Sequence, residues 1–207
     1  MGALSGSITF KSFYVDGEPP NDFHDDYIAK LQSKAFRPLS PIGDDESTVG
    51  WVTVQKPLEM TFQRFDIFFN QYILFALRID KWALPSNIVN ARILQNTELK
   101  FPKNDEPKKI SKRAKEEIKS EVIQEMKLQS IPSMKIVDVL WNFTERKLQF
   151  YTVNKNLCEE FAELFEETFK LKLIPQTPYT LAKALDCEEE KLHKLVAGKP
   201  WFYDSDQ

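Results

Sequence analysis

An α+β fold is predicted by three features of this sequence. Strand-like runs rich in β-branched and aromatic residues alternate with stretches whose apolar residues recur at helical spacing, and several strand-like runs are paired across short polar turns. Such pairing makes the sheets largely antiparallel and leaves the amphipathic helices to pack against them. The 207 residues are 42% hydrophobic and 13% aromatic, enough to bury a sizeable core as one large domain or two small, closely packed ones.

From the N-terminus, Ser7 to Val15 (SITFKSFYV) alternates with the strand period. Asp22 stands where it can cap a helix, and Phe23, Tyr27, Leu31 and Ala35 repeat every four residues as one buried stripe before Arg37-Pro38 ends it. The segment PIGDDESTVG reads as a loop, and GWVTV begins a strand. RFDIFFNQYILFALRI holds two apolar runs divided at Asn70-Gln71, the pattern of a hairpin. Pro85 at a first helical turn, with Leu84 before it, starts a helix reaching about Leu99, and Pro102 stops it.

FPKNDEPKK is the most polar, loop-like stretch and the best boundary. It divides an N-terminal α+β half, residues 1–102, from a basic helix plus hairpin-helix half, 103–176; a helical C-terminal segment, 177–207, follows. In the second half an amphipathic helix runs from about Lys108 to Leu128, and MKIVDVLW and KLQFYTV form a hairpin across NFTER. Asn154 caps a helix that turns Leu157, Phe161, Leu164 and Phe165 inward. KLKLIP is a short strand, Thr177-Pro178 opens the last helical segment, and Gly198-Lys199-Pro200 closes it. The two halves share an outline of strands and helices without a residue-level repeat.

Several classes are excluded by composition. The N-terminus lacks a basic stretch followed by a long apolar core, and eighteen consecutive apolar residues occur nowhere, so neither secretion nor a membrane span is expected. Gly6 breaks the myristoylation pattern. Cys158 and Cys187 lie far apart in expected helices, which suits reduced thiols of a cytoplasmic protein. With two histidines and no Cys-x-x-Cys, the chain is not built for zinc, and no cofactor is expected.

The series KAFRP, GWV, FALRIDKWALPSNIVN, the lysine-rich helix KRAKEEIKSEVIQEM, the hairpin VDVLWNFTERKLQFYTVN and LKLIP resembles, in order and spacing, the RdgC family. The resemblance covers roughly residues 7 to 176 and implies a strand that carries a charged step into a Leu-Pro-x-x-Val helix start, as at Phe75–Asn90. It further implies a nucleoid-associated, homodimeric protein that binds duplex DNA without sequence preference, closes a ring around it and restrains the recombinase. Members are considerably longer than this chain and are often labelled exonucleases.

The local feature that suits such a role is a basic stripe. On a helix, Lys108, Lys112, Lys115 and Lys119 share one narrow sector while Ile110, Ala114 and Ile118 point toward a core. A row of this kind can track a phosphate backbone, because each ammonium releases a condensed counterion. Arg113 and Arg92 are further candidates for the same contact. The alternative is a solvated face, locally paired with Glu116 and Glu117. A net charge of −3 also opposes non-specific DNA binding, which would have to rely on a focused, salt-sensitive patch.

A nuclease needs converging carboxylates for magnesium. Asp138 with Glu145 and Lys147 is the nearest arrangement, but Glu145 and Lys147 fall at a tight turn, where charged residues are expected anyway. The resemblance implies aspartates in this hairpin at positions held here by Asn142 and Tyr151. DFHDD around His24 fits a helix start whose macrodipole favours acidic residues. In the C-terminal segment, Leu181, Ala182, Leu185, Asp186, Cys187, Leu192 and Leu195 have helix-turn-helix spacing, yet Glu188 to Glu190 would open the recognition helix, and the leucines equally form one buried stripe of a single helix. Trp201 to Tyr203 could stack on bases or anchor the tail. The expectation is therefore a homodimeric, non-sequence-specific duplex-DNA binder without intrinsic chemistry; the alternatives are a protein-interaction module on the same fold and a metal-dependent nuclease.

Overall fold

The computed structural model describes residues 2–4, 8–17, 22–102 and 110–197. Their strands are β1 (Lys11–Asp16), β2 (Ser47–Val52), β3 (Phe68–Phe69), β4 (Tyr72–Lys81), β5 (Ser133–Asn142), β6 (Lys147–Phe150) and β7 (Lys172–Pro175). Their helices are α1 (Phe23–Ser33), α2 (Arg64–Ile67), α3 (Ser86–Lys100), α4 (Lys112–Leu128), α5 (Lys155–Phe169), α6 (Pro178–Ala184) and α7 (Glu189–Ala197). The strands form one antiparallel sheet in the order β2-β4-β5-β6-β1-β7, with β3 paired to the start of β4. The fold is α+β, and segments 1–102 and 103–176 both contribute strands to this sheet.

Alternation along the strands builds the core. Phe75 and Leu77 of β4, Val139 and Trp141 of β5, Leu148 and Phe150 of β6 and Phe13 of β1 all point to one face. That face is covered by α1 through Phe23, Tyr27 and Leu31, and by α5 through Phe161, Phe165 and Phe169, as their helical spacing predicts. Rings interlock across the layer: Phe150 stacks on Phe161 with centroids 4.1 Å apart, and Tyr27 on Trp141 at 5.5 Å. Asn154 caps α5, its side chain accepting the Leu157 N–H at 3.1 Å. Asp22 occupies the N-cap of α1 but makes no side-chain bond there.

The charged step in Phe75–Asn90 has a structural role. Arg78 and Asp80, two apart on one strand, share a face, and the guanidinium donates to both carboxylate oxygens at 3.0 and 2.7 Å. A further N–H of Arg78 reaches the Pro57 carbonyl at 3.0 Å, and its carbon lies 4.0 Å from the Phe36 ring centroid. The pair thus fastens the loop after β2 and the chain after α1 onto the second face of the sheet.

Three local expectations change. Ser47 to Gly50 belong to β2 instead of a loop, because ladder pairing with β4, Val49 to Ile79 and Gly50 to Arg78, outweighs the turn propensity of the segment. Gly50 is needed there: a Cβ would sit 2.4 Å from the Phe36 Cα, where the Ala35–Phe36 backbone covers the β2 edge. The run before Asn70-Gln71 is mostly the short α2, with only Phe68–Phe69 extended, and Asn70 takes left-handed backbone at φ 52° in the turn. Thr177 and Thr180 form a reciprocal capping box at the start of α6, which ends at Ala184, so the described part of the C-terminal segment holds two helices, with Ala182 and Leu192 buried. Gly198 to Pro200 and Trp201 to Tyr203 lie outside the described residues.

Candidate nucleic-acid interface

The β4–β5 ladder is interrupted only by a helical hairpin, α3 and α4, which follows the Leu84-Pro85-Ser86 helix start. Ser111 caps α4, accepting the Ala114 N–H at 3.2 Å. Ile118, Val122 and Met126 are buried against Leu84, Val89 and Ile93. At the far end the buried Lys127 donates to the Gly43 and Asp45 carbonyls at 3.0 and 3.3 Å, tying α4 to the 43–45 loop.

The charges of α4 are segregated. Glu117, Glu121 and Glu125, spaced i, i+4, lie on one flank, and each has a cation: Arg113 to Glu117 at 3.0 Å, Lys100 of α3 to Glu121, and Arg92 of α3 to Glu125 at 3.8 Å. Lys112, Lys115 and Lys119 lie on another flank, exposed, with no ion pair among the described residues. Those three lysines form one row of about two turns, about 10 Å along the axis. Arg113 belongs to the glutamate flank, and Arg92 is held near the C-terminal end of α4, also donating to Gln129 at 3.1 Å. Neither arginine joins the row, and Lys108 lies outside the described residues. Lys119 and Glu116 also line a cavity of about 730 Å³ between α4, Trp82 and the 41–46 loop. The i, i+4 glutamates were visible in the sequence; that α3 would neutralise two of them was not, because it depends on how the helices pair.

The carboxylates of the β5–β6 hairpin are separated. Asp138 sits in mid-strand, where its Oδ2 accepts the Ala3 N–H at 2.7 Å and burial pushes its carboxyl above the usual range. Glu145 is in the turn, paired with Lys147 at 2.9 Å, its N–H donating to the Asn142 Oδ1 at 3.0 Å. Asn142 is four residues beyond Asp138 on the same strand, about 13 Å at strand rise. Among the described residues no three or more His, Cys, Asp or Glu side chains are grouped to hold a metal ion. No described helix is long and apolar enough to cross a membrane.

A search of curated proteins returns no match for the chain. A protein-family model described as "Putative exonuclease, RdgC" matches residues 18–186, a span that runs from before α1 through α6 and includes the α3–α4 hairpin and the whole of β2 to β7. With most of the sequence inside that match, the chain belongs to the RdgC family.

Proposed function

We propose that this RdgC-family chain binds duplex DNA without reading its sequence, as a nucleoid-associated, homodimeric modulator of recombination that performs no chemistry on the strand. The observation that carries this reading is the segregation of charge on α4: Glu117, Glu121 and Glu125 are paired with Arg113, Lys100 and Arg92, while Lys112, Lys115 and Lys119 make no ion pair among the described residues and have Glu116 as the one carboxylate of α4 on their side. A focused row can bind phosphates on a chain whose total charge is −3, since the Debye length of about 8 Å at physiological salt confines each surface charge to its neighbourhood. The test is a titration of two duplexes of unrelated sequence over a range of salt. Equal affinities that fall steeply with salt support the reading, whereas sequence-selective or salt-insensitive binding refutes it.

The acidic total supports a second reading, a protein-interaction module on the same fold. No binding of either duplex at low salt would select it.

A further inference from the structure

The cavity of about 730 Å³ beside α4 has a chemistry that the duplex reading does not use, and its volume falls in the range of small-molecule sites. One side of α4 supplies its longest wall. Lys119, Ser120, Ile123, Gln124 and Lys127 are one and three residues apart in turn, the spacing that a helix gathers on one face, and the 41–46 loop lies across from them. Leu84 and Val89, both half-buried, join Ile123 as an aliphatic lining. Trp82 also lines the cavity; it is only 9% exposed, and its indole N–H has no acceptor among the described residues.

Lys127 sets the chemistry. It is 6% exposed, and its ammonium donates to the Gly43 and Asp45 carbonyls at 3.0 and 3.3 Å, which leaves one of its three N–H groups unmatched. No carboxylate pairs with it among the described residues. A buried ammonium held by carbonyls alone carries an uncompensated charge, which the carboxylate of a ligand would balance. The same two bonds fix the backbone on both sides of Asp44. Asp44 and Glu46 line the cavity too, exposed and without an ion pair among the described residues. Unmatched charges of both signs therefore stand on adjoining parts of the cavity, next to an aliphatic lining.

That combination discriminates among ligands. A polyphosphate would meet the carboxylates of Asp44, Glu46 and Glu116 as well as the ammoniums of Lys119 and Lys127. A polyamine would leave Lys127 uncompensated and add to its charge. A hydrocarbon would cover groups of both signs without pairing either, at a cost. A molecule that carries a carboxylate and an ammonium on one carbon, with an apolar body, satisfies all three parts of the lining.

We propose that this cavity binds a free aliphatic α-amino acid, its carboxylate on Lys127, its ammonium against Asp44 and Glu46, and its side chain on Leu84, Val89 and Ile123. The inference goes beyond the duplex reading and does not rest on it, since neither Lys112 nor Lys115 lines the cavity.

The experiment is isothermal titration calorimetry of the full chain with L-leucine, beside 4-methylpentanoate, which lacks the ammonium, and 3-methylbutylamine, which lacks the carboxylate. L-leucine should bind with a Kd of about 1 mM or tighter, and each analogue about tenfold or more weaker. Asp44→Asn/Glu46→Gln, at two exposed positions, should melt as the parent does and bind L-leucine about tenfold or more weaker. K112Q/K115Q should bind L-leucine as the parent does, even where it loses duplex. The analogue series uses the parent protein, so it decides the matter even if a variant fails to fold. The proposal is overturned if L-leucine does not bind at about 10 mM, if either analogue matches it, if folded Asp44→Asn/Glu46→Gln binds it unchanged, or if K112Q/K115Q abolishes its binding.

Discussion

Changing Lys112 and Lys115 together to glutamine separates DNA contact from mere surface charge. The row contains Lys112, Lys115 and Lys119, so a duplex lying along it gains at most three phosphate contacts from this helix. Each contributes about 0.9 to the slope of log affinity against log salt, giving about −2.7 for the parent and about −0.9 for the double variant. From about 50 to 200 mM salt the parent should lose about fortyfold in affinity and the variant only three- to fourfold, so their curves converge at high salt. The loss should be the same for every duplex, because ammonium-phosphate contacts carry no base information. Folding should survive: both side chains are exposed and neither belongs to the buried Ile118–Val122–Met126 cluster, and such substitutions usually change stability by less than about 0.5 kcal/mol. Anisotropy titrations at four salt concentrations, with a thermal melt of each protein, decide the matter. A double variant with the parent's slope would falsify the assignment of phosphate contact to α4.

Two other expectations concern stability. The buried Thr168 hydroxyl accepts the Trp51 indole N–H at 2.9 Å and donates to the Leu164 carbonyl at 2.7 Å. Thr168→Val keeps the shape but strands that indole donor, so urea unfolding should show a loss of about 1–3 kcal/mol; an unchanged midpoint contradicts the role given to this bond. Burial raises the Asp138 carboxyl above its unfolded value, so the stability associated with its protonated form is present below the unfolded pKa and is lost as pH rises through the folded one. Asp138→Asn should therefore raise the melting temperature at pH 7, and the gain should vanish on acidification below the unfolded value; a gain independent of pH shows that another group is responsible.

What could be read from the sequence was local. The stripe of Phe23, Tyr27 and Leu31, the Asn154 cap and the hairpin across NFTER depend on neighbours within a few residues, and the structure contains all three. The placement of β1 between β6 and β7 depends on pairing Phe13 with Leu148 and with Pro175, far along the chain, and no periodicity encodes it. The candidate interface follows the same pattern: the lysine row is a property of one helix and was visible, whereas the pairing of Glu121 with Lys100 and of Glu125 with Arg92 exists only once α3 and α4 pack together. The sequence left the α6–α7 break as one of two readings, because Leu181, Leu185, Leu192 and Leu195 fit one helical stripe as well as two; Leu185 is the residue that caps the C-terminal end of α6.

Where the chain leaves the β4–β5 ladder and where it re-enters are register partners, Lys81 and Ser133. Everything between them is an excursion with almost no net displacement, so α3 and α4 amount to a cassette in the loop of a β-hairpin. Lengthening, reshaping or recharging that cassette leaves every rung of the sheet where it was, and its antiparallel helices can form early and hold the two strand ends close before the ladder zips. Within such an architecture the surface of the helical cassette can change without disturbing the pairing of the sheet beneath it.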